Sequence, residues 1–385
     1  MHPPAVQQLR ELGVLEAVLA HTPWVKAIRI QIEDAALSPT LDEASFMLAP
    51  RRHLLDGELQ KAAARAGADV RGQCRVTEVT VEQGRATGVR YRTPAGASEL
   101  VHASVVIGAD GRRSLVAEQV GAESYAELKS RRVGHWAYFS APKVVRDGQF
   151  PYGFQIAFHG NGVAFMFHTG RDEVLLGSQF TPDAPEFRAA PLDSLFSVFR
   201  RHENSAPLIE AVEARSKIRT LTHLDFFFRR AAGPGWALVG DAGLHKDPTP
   251  GFGITDALRD SDALSRALVR GGDRALQEYW IERDRASIPL YHMAEDMGDP
   301  AYANAFNQMV FRRVNRDPKL AARMVGVFSR TVDPGSVLGP ARILSCCARE
   351  MLRGNVAIWP GFLRALKSGQ AVQRDLRKLA SRASS

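Results

Sequence analysis

WALVGDAGLHKDPTPGFGITDALRD, residues 236–260, is the stretch on which the reading of this chain turns. Trp236 to Val239 is a short apolar run of the kind that forms a buried strand. It delivers a carboxylate, Asp241, at its carboxyl end, where open α/β sheets place their ligands. Pro248 and Pro250 stiffen the following loop. Gly251 and Gly253 remove side chains just ahead of a helix read from Ile254 to Leu268, so that a flat ligand can approach the backbone. The helix start offers N–H donors and a positive dipole end to a group that becomes anionic. Ile254, Ala257, Leu258, Ser261, Leu264 and Leu268 mark the face expected to be buried. An ordinary strand–loop–helix with a capping acid is the alternative. Strand, acid, prolines, glycines and helix standing together favour a ligand site.

Two further segments extend the pattern. VVIGADGRRS (105–114) ends a strand read from Leu100 to Ala109 in a tight Asp110-Gly111 turn. Its run Val105 to Ile107 is typical of a strand buried on both faces. RHLLDGEL (52–59) places Arg52 and Asp56 at the start of a helix read from Asp56 to Ala66. Asp56 there has the ordinary reading of an N-cap or first-turn acid, and Arg52 that of an exposed or salt-bridged residue. Elsewhere, Val6 to Leu19 has helical spacing and Trp24 to Ile32 alternates like a strand. Arg75 to Val81 and Val89 to Arg92 form a small antiparallel unit with a turn at Gln83-Gly84. From Arg131 to Phe228 short strands (Phe154 to Phe158, Val163 to Phe167, Val174 to Phe180) alternate with Gly-containing turns and read as hairpins. From Asp273 onward the chain is mostly helical.

These segments resemble the class A flavoprotein monooxygenases, the family of para-hydroxybenzoate hydroxylase. Residues 236–260 look like that family's second FAD-binding motif. There the aspartate matching Asp241 bonds the ribityl chain, and the positions matching Pro248, Gly251, Phe252, Gly253 and Ile254 lie along the isoalloxazine. Asp110 falls in the Asp-Gly motif linked to flavin and nicotinamide dinucleotide; where the family commonly carries an arginine, this chain has Ala117 and then Glu118. The resemblance also implies that Arg52 can reach toward the cofactor's phosphates and that backbone near Val76 passes the adenine. It implies an α/β fold (α+β overall): a Rossmann-like FAD lobe over 1–125 and 231–290, an antiparallel-sheet substrate lobe over 126–230, and a helical region over 291–385.

The activity implied is hydroxylation of a small aromatic or apolar substrate by FAD, NAD(P)H and molecular oxygen through a flavin C4a-hydroperoxide. Trp136, Tyr138, Phe154, Phe165, Phe167 and Phe180 are candidate pocket linings, or simply sheet core. His135, His159, His168 and His245 are the histidines considered for acid–base work, and none is assigned as a catalytic base. A polyprenyl-reductase-like flavoenzyme shares these motifs. A halogenase is disfavoured by the lack of a Trp-x-Trp-x-Ile-Pro element. From another class, the chain could be a non-enzymatic remnant that binds no FAD.

The family's first motif, G-x-G-x-x-G after an N-terminal strand, is absent. Residues 1–13 resemble family sequence found after the first βαβ unit, so the resemblance covers about residues 1–290 and begins late, at least ~30 residues in. The expectation is an incomplete N-terminus, with Met1 an internal methionine, a central sheet lacking its middle strand, and weak FAD binding or none.

Composition sets the outer bounds. At 385 residues with 45% hydrophobic content the chain can support two lobes with sizeable cores. Cys74, Cys346 and Cys347 form neither a disulfide framework nor a zinc-ligand spacing, so no metal site is expected and a reducing cytoplasm is. No segment reads as a signal peptide or transmembrane span. The formal net charge is +8, but the last 22 residues alone hold six basic residues (Arg364, Lys367, Arg374, Arg377, Lys378 and Arg382) against Asp375. With no aromatics interleaved, this is a solvated helix and not a nucleic-acid platform. The helical C-terminal stretch could pack on the core or on another subunit, leaving a homodimer possible.

Overall fold

A computed structural model describes the chain apart from residues 39, 42–45, 189, 223, 329, 333–336, 338–339 and 385. The excluded positions from 329 to 339 fall inside the C-terminal stretch read as helical. The chain divides into two units, each assembled from three separated segments. The first comprises Met1–Leu59, Ser130–Leu224 and Asp296–Gly369; the second comprises Gln60–Lys129, Asp225–Glu295 and Gln370–Ser385. The fold is mixed α/β, with a large antiparallel-rich sheet and a helical C-terminus.

In the first unit, alternating apolar residues build a seven-stranded sheet. Its order is β12 (Arg219–Leu221), β8 (Val133–Ser140), β11 (Glu173–Phe180), β10 (Gly162–Gly170), β9 (Phe154–His159), β1 (Ile28–Ile32) and β2 (Ala35–Leu37). The expected hairpins are present: β9 turns into β10 between His159 and Gly162, and β10 into β11 past Gly170. The strand read from Trp24 shortens to β1, which pairs parallel with β9. Period-two alternation gives the sheet two different faces. One carries Ala137, Phe139, Ala164, Met166, Val174 and Leu176 into a core with Leu195 and Phe199 of α7 (Pro191–Arg200). The other presents Trp136, Tyr138, Phe165 and Phe167, all half-buried.

The helix read over Val6–Leu19 is two helices, α1 (Pro3–Glu11) and α2 (Leu15–Leu19). Gly13, at φ +68, turns the chain between them in the left-handed region that glycine tolerates, and Leu12 is left exposed. The amino group of Met1 is buried and donates to the Leu48 carbonyl; burial lowers its pKa to about 5. The short helices α5 (Lys143–Arg146) and α6 (Pro185–Arg188) flank the sheet segment, and α10 (Ala305–Asn315), α11 (Pro318–Phe328) and α12 (Pro340–Leu352) follow later. Helix α13 (Trp359–Ser384) ends the chain.

The second unit holds three small sheets. β3 (Arg75–Glu82), β4 (Arg85–Arg92) and β5 (Ser98–His102) form an antiparallel meander. Gln83 and Gly84 both have positive φ at the expected β3–β4 turn, as a two-residue hairpin requires. β7 (Ser124–Lys129), β13 (Asp225–Arg229) and β16 (Leu244–His245) form a second sheet. The third pairs β14 (Ala232–Gly233) with β15 (Trp236–Leu238), and β15 runs parallel to β6 (Val106–Gly108). The strand read from Leu100 to Ala109 is therefore two strands, β5 and β6. β6 is not buried on both faces: Val106 is buried, whereas Ile107 is 43% exposed. The core of this unit joins Trp236 and Leu238 to Leu264, Leu276 and Tyr279 from α8 (Gly253–Arg270) and α9 (Gly272–Gly298). Helix α4 (Leu115–Gln119) follows β6, and α3 (Arg52–Arg65) begins four residues before Asp56.

Candidate functional site

The parallel pairing of β6 with β15 brings together two sequence segments about 130 residues apart. Trp236 pairs with Val106 and Leu238 with Gly108, and the Val239 amide donates to the Gly108 carbonyl at 3.0 Å. The turns carrying Asp110 and Asp241 therefore leave adjacent strands at the same, carboxyl end. Tyr279 from α9 holds this end of β15, its hydroxyl donating to the Leu238 carbonyl at 2.7 Å.

Beyond β15, Gly240 adopts φ +59, and an added Cβ would stand 3.2 Å from that of Ala257. A 3-10 turn (Gly240–Ala242) and β16 lead into a loop shaped by backbone bonds: the Thr249 amide donates to Asp247 Oδ1 and the Gly251 amide to the Pro248 carbonyl. Helix α8 then starts with no side-chain cap. Asp241 lies at that start, since a Cβ on Gly253 would be 3.9 Å from Asp241 Oδ1. Asp241, Pro248, Gly251 and Gly253 are exposed and Ile254 half-buried. Phe252 is buried at 1% exposure, so Gly251 and Gly253 on either side of it form the open edge.

The buried face of α8 differs from the one expected. Ser261 is exposed, Leu268 is 36% exposed, and Ile254, Ala257 and Leu258 are only half-buried. Alongside Ala263, Leu264 and Ala267, the buried side includes Asp256 and Asp260. A charged bed explains this. Lys246, in the loop ahead of α8, forms a buried ion pair with Asp256, which Arg259 also approaches at 3.2 Å. Arg259 bonds Asp260 at 2.6 Å and Ser287 at 2.8 Å. Burial raises the Asp260 pKa against the pull of Arg259. Deeper still, Arg283 pairs with Asp284 at 2.5 Å, and Tyr125 donates its hydroxyl to the same carboxylate. An added Cβ on Gly243 would fall 2.4 Å from Arg283 Nη1, so a side chain there would push the buried guanidinium from its place beneath the turn.

Asp110 sits differently. Its carboxylate accepts from Ser114 Oγ at 2.6 Å and from the Val116 amide at 3.2 Å, while Ser114 caps α4 by accepting from the Ala117 amide. Asp110 and Val76 both line a cavity of about 870 Å³, together with Arg75, Arg92, Arg113 and Glu118. Arg52, in the first unit, forms an exposed ion pair with Asp56 one helical turn on, at 3.1 Å. Because α3 begins at Arg52, Asp56 is neither cap nor first-turn acid.

Sequence reasoning missed Arg229. It donates to the Ala242 carbonyl at 2.9 Å and to the Arg112 carbonyl at 3.1 Å, tying the two turns together. Both partners are backbone atoms, so no side-chain pattern could have revealed the role. Also missed was Arg51, whose guanidinium stacks 3.6 Å from the Tyr138 ring on the aromatic sheet face.

Among the pocket candidates, Phe154 and Phe180 are buried, and Phe180 belongs to the core with α7. Phe165 lies across Gly177, where a Cβ would come within 2.2 Å of its ring. The four histidines have structural surroundings. His245 Nδ1 bonds the Asp225 carbonyl at 2.7 Å, and His135 Nδ1 bonds Thr220 at 3.1 Å. His159 lies 2.6 Å from Glu33. Burial lowers the pKa of His135 and His168.

Residues 1–288 match the family described as "FAD binding domain". The chain belongs to that family. FAD is accordingly its cofactor, and the bare glycine edge, the accessible Asp241 and the uncapped α8 start fit a flavin. Among curated relatives, it is 28% identical over 251 residues to digeranylgeranylglycerophospholipid reductase 2 of Methanococcoides burtonii, covering 62% of this chain and 57% of the relative. It is 25% identical over 287 residues to the corresponding reductase of Methanocella arvoryzae, covering 70% of each. The chain thus spans little more than half the length of the first of these. Among solved structures, the flavin-dependent brominase Bmp2 aligns at TM-score 0.74 and 16% identity over 92% of this chain and 89% of that one. The p-nitrophenol 4-monooxygenase PnpA of Pseudomonas putida aligns at TM-score 0.70 and 16% identity, over 86% and 87%. At such identities these two share the fold alone. Among the described residues, no helix is long and apolar enough to cross a membrane.

Proposed function

We propose that the chain carries the flavin site of an FAD-dependent oxidoreductase that takes its electrons from NAD(P)H. Bound FAD would supply the redox chemistry, which no amino-acid side chain provides. The observation that carries this reading is the β15–α8 segment, where an exposed carboxylate lies beside an uncapped helix start edged by two glycines. Asp241 would accept hydrogen bonds from the cofactor's hydroxyls. The backbone from Gly251 to Ile254 would lie along the ring and favour its reduced, anionic edge. Val76 and Asp110 would hold the adenosine half in the cavity whose arginines balance phosphate charge. Arg52 is proposed as a phosphate contact, which requires it to leave Asp56.

Within this reading, the lobe assignment of 1–125 and 231–290 to the cofactor and 126–230 to the substrate is also a proposal. Trp136, Tyr138, Phe165 and Phe167 offer a half-buried aromatic surface suited to a small aromatic or apolar substrate. Oxygen-dependent hydroxylation is the reading we favour. Reduction of a polyprenyl chain without oxygen is the second reading, supported by the names of the curated relatives.

Two measurements test this. The visible absorption spectrum of the purified protein, before and after adding FAD, should show flavin bands that stay with the protein through gel filtration. A colourless chain that takes up no FAD would overturn the proposal for this polypeptide. With flavin bound, NAD(P)H-dependent oxygen consumption stimulated by an aromatic substrate favours the hydroxylase. Flavin reduction with no oxygen uptake, reoxidised by a polyprenyl lipid, favours the reductase.

A further inference from the structure

The helices that follow the flavin-family match contain a charge arrangement that folding alone does not explain. On α10 and at its C-cap, Arg312, Arg313 and Arg316 lie at helical spacings of three and four; on α12 and just past its end, Arg349 and Arg353 lie four apart. Like charges at these spacings repel by roughly 0.2–0.5 kcal/mol per pair. Yet these residues converge on one concave pocket of about 350 Å³, with Glu350 as its one acid. Glu350 is already engaged: one oxygen accepts from Arg353 and the other from Asn355, each at 3.0 Å. Arg312 and Arg349 hydrogen-bond neutral oxygens, of Gln308 and Ser345, and Arg312 adds its charge to those that lower the Glu350 pKa. Arg313 and Arg316 have no carboxylate partner among the described residues.

Attraction to helix C-terminal dipoles favours single arginines in a last turn, but it does not require two helices to turn their basic sides into one pocket. That convergence is held by an apolar cluster joining Phe306 of α10, Cys347 of α12, Ile358 and Phe362 of α13. The arginine stems are thus mounted on a packed base.

We propose that this pocket binds a phosphorylated group, a phosphate or diphosphate ester, through forked guanidinium contacts from Arg312 and Arg349 with Arg313 and Arg316 adding charge. Arginine forks match phosphate oxygens in pairs, and several cations around one small volume suit a multiply charged anion better than a carboxylate. The inference is independent of the flavin reading. The phosphate could be that of a soluble ester or of a lipid headgroup; Leu352 and Val356, which adjoin Arg353 and Asn355 and are 89% and 68% exposed, make the second worth testing.

The test uses the whole chain at physiological ionic strength. Inorganic pyrophosphate is titrated by calorimetry, and sedimentation is measured with phosphatidylcholine vesicles with and without phosphatidic acid. Saturable pyrophosphate binding, weakened at least about tenfold in Arg312→Ala/Arg349→Ala, supports the site. The control Arg266→Ala/Arg274→Ala, exposed arginines of the other unit, should leave binding unchanged. Arg349→Lys keeps the charge without the fork and should weaken binding several-fold, with an unaltered unfolding midpoint. Binding only to phosphatidic-acid vesicles, lost in the double variant, assigns the phosphate to a lipid. Failure to bind either probe, or equal loss in the control, overturns the proposal.

Discussion

After β6 and again after β15 a parallel strand ends and glycine and aspartate turn the chain; it enters α4 directly in the first case and reaches α8 through β16 and a loop in the second. The two segments are hydrogen-bonded neighbours, yet their acids do different work. Asp110 accepts from Ser114 and the Val116 amide, and Ser114 in turn caps α4. Asp241 has no hydrogen-bond partner among the described residues, and no side chain caps the helix beside it. The support beneath differs in one respect. Both segments share one apolar core, Val106, Val116 and Ala117 from the first and Trp236, Leu238, Ala242 and Leu264 from the second, but the second also rests on Lys246, Asp256, Arg259 and Asp260, buried and paired. The first acid is already committed to its own helix, so any contact it makes with a cofactor is shared with that structural work. The second leaves its acid and helix start open, which is what the proposed flavin contact requires.

The charged bed gives the sharpest way to break this comparison. Asp256→Ala removes the buried carboxylate that Lys246 and Arg259 share, and removing one partner of such a buried pair costs about 3–5 kcal/mol. Val116→Ala under the first segment removes only two methyl groups and should cost about 1.5–2.5 kcal/mol. Urea unfolding of the two variants measures the difference. Equal losses would mean that Lys246 finds another partner and that the bed is not what supports the loop.

Next in size is the capping acid. Asp110→Ala removes an acceptor for two donors at the start of α4 and should cost about 1–2 kcal/mol. The same substitution at Asp241 should cost less than about 0.5 kcal/mol, because it breaks no bond within the protein. Paired unfolding curves of the two variants check this directly. A larger loss at Asp241 would show that it, too, is structural.

How much of this was legible in the sequence follows from the same contrast. β15 and α8 could be placed because an apolar run, two prolines and two glycines punctuate the chain locally. Four strands of the large sheet, β1, β9, β10 and β11, could be placed because alternation is visible one residue at a time; β2, β8 and β12 were not read. The face of α8 was misjudged because hydrophobic periodicity assumes that a buried side is apolar, and Asp256 and Asp260 are buried by partners such as Lys246 and Arg259 that no spacing rule identifies. The break at Gly13 was missed because the apolar pattern continues across it. Arg229 was invisible, since it bonds carbonyls of two turns that only the β6–β15 pairing brings close. Of the predicted cofactor residues, Val76 and Asp110 share a cavity and the set from Asp241 to Ile254 shares one loop and helix start. Arg52 is engaged elsewhere, by an acid one turn along its own helix.

If Asp241 is open for a ligand, its removal should register in binding and hardly at all in folding. Asp241→Ala should lower FAD affinity about tenfold, the cost of one lost charge-assisted bond, as read by quenching of flavin fluorescence. Asp110→Ala should lower it less once the protein is held well below its unfolding midpoint. The reverse order would transfer the ligand-facing role to the first segment.

The smallest effect concerns α9, the helix whose Tyr279 and Arg283 underlie the second segment. Near its end, His292 lies 2.9 Å from Asp375 and 3.4 Å from Glu295. Burial alone would lower the pKa of this imidazole, but the two carboxylates outweigh it, and the pKa stands above the usual 6.5. A histidine whose pKa is higher folded than unfolded binds its proton more tightly in the native state. Its contribution is therefore complete below pH 6.5 and is lost as pH rises through the folded value. Stability of the native chain minus that of His292→Phe, from urea midpoints, should shrink with rising pH across that window. A difference that grew instead would mean that the imidazole is held neutral, and that α9 is not fixed at this end by an ion pair.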